Sequence, residues 1–264
     1  MIDFTALYRF IRRCVLGKRI YATGLNLDKA DKRDILYKIV RPGVVPETTN
    51  RVNIDCFPYR YDQGDLGSCV GHSIAETFCR VLQVNNQPDF EPSRLFAYYI
   101  ARKDKRNDSG ASIRDAFKAI NRHGLCSESI YPYKTCKFAQ KPSDEAYREA
   151  LDHQSIRYER LPQIKEVIMD AVSKGYPVVY GKSLHESFMS DKTAKTGIVP
   201  YPDVEKERCY GGHAMVIFDY DQNYTIELNS WGKDWGQNGT CMVPWEYVLD
   251  PQLAFDFWVL YTTE

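Results

Sequence analysis

Residues 63–69 read Gln63-Gly64-Asp65-Leu66-Gly67-Ser68-Cys69, a glycine-bearing turn that leads a cysteine into a helical pattern. After this turn, apolar residues recur at the spacing of one helix face and stop near residue 85. These apolar residues are Val70, Ile74, Phe78, Val81 and Leu82. The pattern predicts a helix whose first turn carries Cys69.

A cysteine at a helix N-terminus is favoured as a nucleophile. Unpaired N–H groups and the positive end of the helix dipole stabilise the thiolate, which is scarce for a free thiol with a pKa of about 8.5. The competing interpretation of Cys69 is an ordinary buried cysteine, the commoner fate of this residue type. A catalytic role therefore requires a base elsewhere in the chain.

Among the five histidines, His213 has the setting expected of such a base. It follows Gly211 and Gly212, which allow close approach, and precedes the apolar run 214–217, which would hold the ring rigidly. The competing interpretation is a core histidine with its polar atoms satisfied. The other four histidines lack a comparable pattern: His72, His123, His153 and His185.

Three further residues complete the candidate site. Asn229 follows His213 by sixteen residues, so an adjacent strand could bring its amide beside the ring and fix the ring's orientation without adding charge. Trp231 would shield that hydrogen bond from water, while also packing in the core. Gln63, six residues before Cys69, is a candidate donor to a developing oxyanion, although glutamines near turns are more often solvated.

Near Pro177 the sequence pattern changes from one typical of helices to one typical of β-strands. Further helices are predicted near residues 93–103, 112–123 and 163–174, and strands near 178–180, 214–220, 224–228, 240–243 and 255–261. A helical half followed by a mostly antiparallel stranded half predicts an α+β protein with a cleft between two lobes.

Composition excludes several classes of protein. Of 264 residues, 44% are hydrophobic and 27% are charged, which is typical of a globular chain. Basic and acidic residues number 35 each, which argues against a nucleic-acid enzyme. We see no apolar run of the roughly 18 to 20 residues needed to span a membrane, and no secretory signal. The eight cysteines include no Cys-x-x-Cys pair, so we expect reduced thiols in a cytoplasmic protein, with neither a metal nor a cofactor.

Taken in chain order, these motifs resemble the papain-like cysteine peptidases. The resemblance runs from about residue 50 to the end and includes residues 63–69, Ser109-Gly110-Ala111, Tyr131-Pro132-Tyr133, Gly212-His213-Ala214 and Asn229-Ser230-Trp231-Gly232, followed by Trp235-Gly236 and Asn238-Gly239. Leu66 stands where the family usually has a disulfide-forming cysteine. In that difference and in its short N-terminal region, the sequence resembles the intracellular-type bacterial or viral members of the family.

The resemblance implies a helical left lobe over residues 51–155 and a β-barrel-like right lobe over residues 156–264, with peptide or protein substrates in the cleft. Cys69 would be the nucleophile, His213 the base, Asn229 its orienting partner and Gln63 the oxyanion donor of a peptidase working through an acyl-enzyme. The resemblance also implies four substrate-binding residues: Gly110, Ala111, Gly212 and Trp231. Two alternatives are an inactive peptide-binding protein and a thiol acyltransferase or amidase.

The N-terminal residues 1–50 have no place in the two lobes. Phe4, Leu7, Tyr8, Ile11 and Val15 predict a basic amphipathic helix. It could be a mitochondrial-type presequence, lie on an anionic membrane surface, or dock against its own catalytic domain. Mixed charge and apolar residues over 21–46 favour docking, with part of the segment crossing or bordering the cleft as a lid that restrains activity.

Overall fold

A computed structural model describes residues 21–39, 46, 57–154 and 157–262. The predicted amphipathic helix near the N-terminus lies outside the described residues. Within them the chain forms seven α-helices and six strands, which confirms the α+β class. The helices are α1 Cys69–Val84, α2 Arg94–Ala101, α3 Ile113–His123, α4 Asp144–Ala150, α5 Lys165–Ser173, α6 Asp191–Thr196 and α7 Trp245–Leu249.

All six strands join one antiparallel sheet in the order β1-β6-β2-β3-β4-β5. Their bounds are β1 Arg157–Arg160, β2 Val178–His185, β3 Cys209–Tyr220, β4 Tyr224–Leu228, β5 Thr240–Pro244 and β6 Ala254–Tyr261. The five strands predicted from the sequence all form, and β2 and β3 extend further than their apolar runs indicate. The edge strand β1 was missed because its sequence Arg-Tyr-Glu-Arg is mostly charged.

Helix starts follow the capping chemistry of serine. The hydroxyls of Ser93 and Ser112 accept hydrogen bonds from backbone N–H groups three residues later, which fixes where α2 and α3 begin. Gly124 ends α3 at a φ of 73°, and an added Cβ there would lie 1.6 Å from the Ala150 carbonyl oxygen. The short helices α4, α6 and α7 were not predicted, because five to seven residues give too little periodicity.

The two faces of the sheet bury different cores. One apolar cluster joins α1, α2 and α3 to residues of β3 and β6, and the other joins α5 and α7 to the opposite side of the sheet. Helix α1 is buried along most of its length and points its N-terminus at the sheet. This packing brings Cys69 to the strand that carries His213. None of the described helices is long and apolar enough to cross a membrane.

Candidate active site

Cys69 is the first residue of α1 and is fully buried. The backbone N–H groups of Ala214, Gly24 and Val70 lie near its sulfur and favour the thiolate. Burial nevertheless raises the pKa of the thiol to about 11, so the neutral form dominates in this state. The Ala214 contact places the thiol next to the backbone of His213.

His213 lies on β3, and Asn229 directly follows β4, the strand paired with β3. The Asn229 Oδ1 atom lies 2.9 Å from Nε2 of His213 and accepts a second hydrogen bond from the Ser230 N–H at 2.8 Å. Because a carbonyl oxygen only accepts, the ring proton sits on Nε2. The Nδ1 atom has no hydrogen-bond partner in the described part of the chain and keeps its lone pair. It is therefore the ring nitrogen available to act as a base.

A wall of aromatic rings covers this imidazole. Trp231 is buried with its ring centroid 4.9 Å from that of His213, and it contacts both Trp235 and Phe188 edge to face. Burial lowers the pKa of His213 to about 4; the Asn229 hydrogen bond opposes this shift and the positive charge of Lys182 adds to it. The imidazole is neutral at physiological pH in this state.

Gln63 is fully buried, and its amide has a defined orientation. The Ser230 hydroxyl donates to Gln63 Oε1 at 2.6 Å, so Nε2 points the other way. That nitrogen donates to the carbonyl oxygens of Leu66 at 2.9 Å and Ala22 at 3.2 Å. Sequence analysis did not identify Ser230 as the residue that orients Gln63, although it lies between Asn229 and Trp231 in the same motif.

Residues 21–39, named here the strap, run through the cleft. Leu25 forms a parallel β-bridge with Ala111, in which the Ala111 N–H donates to the Gly24 carbonyl and the Asn26 N–H donates to the Ala111 carbonyl, both at 2.9 Å. The Leu25 N–H also donates to the Gly212 carbonyl at 3.1 Å. The strap therefore uses the backbone groups that the sequence assigned to substrate.

The fit of the strap is tight on both sides of Cys69. Tyr21 stacks on Trp231 with ring centroids 4.0 Å apart. A Cβ on Gly24 would lie 1.9 Å from the Gly67 carbonyl oxygen, and one on Gly110 would lie 2.2 Å from the Gly24 carbonyl oxygen. Only glycine permits this approach at position 24.

The Leu25 side chain enters a pocket on the strand lobe. A Cβ on Gly181 would lie 2.3 Å from Leu25 Cδ2 and 2.6 Å from the Phe255 ring, so the missing side chain at position 181 creates the space. Phe255 closes the other side. The pocket is apolar and holds a branched aliphatic side chain.

Beyond the cleft, carboxylates hold the strap in place. Asp28 accepts from Trp258 Nε1 at 2.8 Å and from the Arg114 N–H at 3.1 Å, and its own N–H donates to Asp256 Oδ2 at 2.8 Å. Asp34 forms a buried ion pair with Arg114 and a half-buried one, at 3.4 Å, with Arg160. These contacts are spread over α3, β1 and β6, so the strap is anchored to both lobes.

The far end of the strap extends the sheet. The Tyr37 N–H donates to the Arg160 carbonyl at 2.9 Å, and the Arg160 N–H donates to the Ile35 carbonyl at 2.8 Å. The Tyr37 hydroxyl donates to Asp170 Oδ2 at 2.6 Å. The charged edge strand β1 is thereby paired on both sides.

The stability contributed by Asp256, which accepts the hydrogen bond from the Asp28 N–H, is expected to fall as the pH rises. Burial, reinforced by the charge of Asp28, raises the pKa of Asp256 from 3.8 to about 6. The stability contributed by this carboxyl is therefore complete below pH 3.8 and lost as the pH rises through 6. Asp256→Asn mimics the protonated acid, so we expect its melting temperature to exceed the wild-type value at about pH 7, with a difference that narrows as the pH falls below 6 and closes near pH 3.8.

Asp31→Asn is the matched control, because the Arg33 guanidinium holds the pKa of Asp31 well below its usual range. This variant should gain nothing at neutral pH. A lower melting temperature of Asp256→Asn at neutral pH would show that the ion pair between Asp256 and Arg160, 2.8 Å long, outweighs the cost of burial and repulsion.

Comparison with known proteins gives a consistent result. The family model described as "Papain family cysteine protease" matches residues 50–246. An uncharacterized peptidase C1-like protein of Acanthamoeba polyphaga mimivirus is 37% identical over 267 residues, covering 90% of this chain and 86% of its own length.

Two solved structures extend the comparison. Xylellain, a cysteine protease from Xylella fastidiosa, superimposes with a TM-score of 0.86 at 31% identity, over 92% of this chain and 97% of its own. Digestive procathepsin L 3 of Tenebrio molitor shares the fold, with a TM-score of 0.70 at 18% identity over 91% of this chain and 75% of its own. The predicted two-lobed fold is thereby confirmed.

Proposed function

The chain belongs to the papain family of cysteine proteases, and from this membership we propose that it hydrolyses peptide bonds with Cys69 as nucleophile, His213 as base and Asn229 as orienting partner. Gln63 supplies one oxyanion donor, and the backbone N–H of Cys69 supplies the other. The strap makes the described state a latent one. Peptides and proteins are the proposed substrates.

The reaction follows from the geometry of the ring. Nδ1 of His213 takes the proton of the Cys69 thiol, and the thiolate attacks the carbonyl carbon of the scissile bond. Electrons displaced onto the carbonyl oxygen form an oxyanion that accepts hydrogen bonds from Gln63 Nε2 and the Cys69 N–H. Collapse expels the amine, which takes the proton from His213. Water, deprotonated by the same nitrogen, then hydrolyses the thioester.

One observation carries the proposal: Gln63 Nε2 donates to a peptide carbonyl, that of Ala22. The same nitrogen donates to the carbonyl of Leu66, three residues before the buried Cys69, and the His213 ring is held by Asn229. A donor that already binds a backbone carbonyl next to a nucleophile and a base is suited to acyl transfer from a peptide.

The strap occupies backbone groups of this site that would bind substrate. The backbone N–H of Gly24 lies near the Cys69 thiol. The strap also pairs in parallel with Ala111, so its chain direction is fixed by hydrogen bonds on both sides. A substrate must displace the strap before it reaches Cys69.

Peptide-library cleavage by the purified chain tests the proposed function. We expect the cleaved peptides to share one residue near the scissile bond, the residue whose side chain fills the pocket that Leu25 occupies. Branched aliphatic side chains should be preferred there, because Phe255 and Gly181 bound that space. Labelling by an epoxide inhibitor at Cys69 should accompany turnover. An added amine distinguishes a hydrolase from an acyltransferase, because an acyltransferase would transfer the acyl group to the amine in preference to water. The absence of both cleavage and labelling in a variant with a displaced strap would identify a peptide-binding protein.

A further inference from the structure

A lysine and a glutamate form an ion pair inside the strand lobe, beneath the proposed active site. Lys182 on β2 and Glu227 on β4 are both 0% exposed, and Nζ lies 2.6 Å from Oε2. The other carboxylate oxygen of Glu227 accepts from the Tyr180 hydroxyl at 2.5 Å and from the Thr225 hydroxyl at 2.8 Å. The carboxylate is thus fully bonded.

A buried ion pair of this kind contributes little net stability to the fold. Moving two charges out of water costs several kcal/mol per ion, and apolar replacements of similar volume are often as stable or more so. The surrounding residues are already apolar or aromatic: the Lys182 ammonium lies 4.9 Å from the ring centroid of Tyr180, 5.4 Å from that of Tyr247 and 5.5 Å from that of Phe188. The position of the pair needs another explanation.

The ion pair lies next to the strands that position His213 and Asn229, and next to the aromatic residues that cover the His213 ring. Lys182 is the register partner of His213 between β2 and β3, so the two side chains are cross-strand neighbours. Glu227 precedes Asn229 by two residues on the next strand. Phe188, against which the ammonium packs, contacts Trp231 with a centroid distance of 5.6 Å.

We propose that Lys182 and Glu227 are positioning residues of the active site, which hold the His213 ring and set the charge it carries. The proposal rests on the proposed function only for its effect on turnover. Lys182 places a fixed positive charge beside the ring, which disfavours a second one on the imidazole, and Glu227 limits that effect by pairing with the lysine.

The other charged or titratable groups near His213 come from the opposite lobe. Cys69 approaches from the start of α1, and His72, on the same helix, interacts electrostatically with His213. The charge of Asp108 acts on the Cys69 thiol. Strap residues 22–24 carry no charged side chains. Burial, and with it the positive charge of Lys182, lowers the pKa of His213.

The test compares two uncharged replacements of the pair in the full-length chain. Lys182→Gln/Glu227→Gln keeps the two side chains able to hydrogen-bond, and Lys182→Met/Glu227→Gln keeps the acceptor used by Tyr180 and Thr225. NMR of labelled histidine should show the pKa of His213 raised in both by about half a pH unit, because each variant removes the Lys182 cation together with the Glu227 anion that partly offsets it. Peptide turnover should fall about tenfold, since the ring loses its support.

Either variant suffices if the other does not fold, because both remove the same pair of charges. Lys182→Arg is the conservative control, and it should leave the titration of His213 at the wild-type position. An unchanged titration of His213 in the uncharged variants overturns the proposal, whether or not the chain hydrolyses peptides. A chain that hydrolyses no peptide while the titration shifts as expected would instead contradict the proposed function.

Discussion

Cys69→Ala abolishes peptide hydrolysis, with an expected loss of roughly 10⁴-fold or more, because removing the nucleophile leaves only binding and oxyanion stabilisation. The fold should survive. Cys69 is fully buried and belongs to the apolar cluster of the helical lobe, so the loss of its sulfur costs about 1 kcal/mol of unfolding free energy. Turnover of a fluorogenic peptide and the melting temperature measure the two effects.

Cys126→Ala is a matched control for this prediction. Cys126 is also fully buried, lies in the same cluster and has a thiol whose pKa is raised by burial. Unlike Cys69, it does not lie at the start of a helix. We expect Cys126→Ala to lose a similar amount of stability and to keep its activity. Equal turnover in Cys69→Ala and wild type would contradict the assignment of the nucleophile.

The fold was predictable where sequence periodicity is strong. The helix that begins at Cys69 follows from its apolar face, and its observed end at Val84 lies within one residue of the predicted end. The strand after His213 was equally legible, because its apolar and β-branched run determines it locally. The sequence could not show that β3 begins as early as Cys209, since that extension depends on pairing with β2.

The sequence predicted that His213 and Asn229 meet, but it indicated neither the protonation nor the occupancy of the candidate site. Chain order suggested that His213 and Asn229 meet, and the 2.9 Å hydrogen bond is a contact between strands that the spacing permits. The sequence did not indicate that Cys69 is fully buried, because its burial depends on tertiary packing in the apolar cluster of the helical lobe. The lysine and glutamate of the buried pair read as ordinary charged strand residues, and only the register places them together.

Displacement of the strap should give the second large effect. In Gly24→Ala the new Cβ would lie 1.9 Å from a backbone carbonyl oxygen, so the strap cannot dock as it does in the wild type. Each loss of about 1.4 kcal/mol of docking free energy opens the site tenfold more often, and a backbone collision of this size costs more than that. We therefore expect peptide turnover to rise at least about tenfold.

The chemical state of the site should change together with its occupancy. With the strap gone, water reaches Cys69 and His213, whose neutral forms are favoured by burial in the latent state. Alkylation of Cys69 by a small thiol reagent should accelerate alongside turnover. Leu27→Ala is the control, because this strap side chain is 67% exposed and its loss leaves docking intact. If Gly24→Ala hydrolyses peptides and is alkylated no faster than Leu27→Ala, the strap does not restrain the enzyme, and the contacts in the cleft serve stability alone.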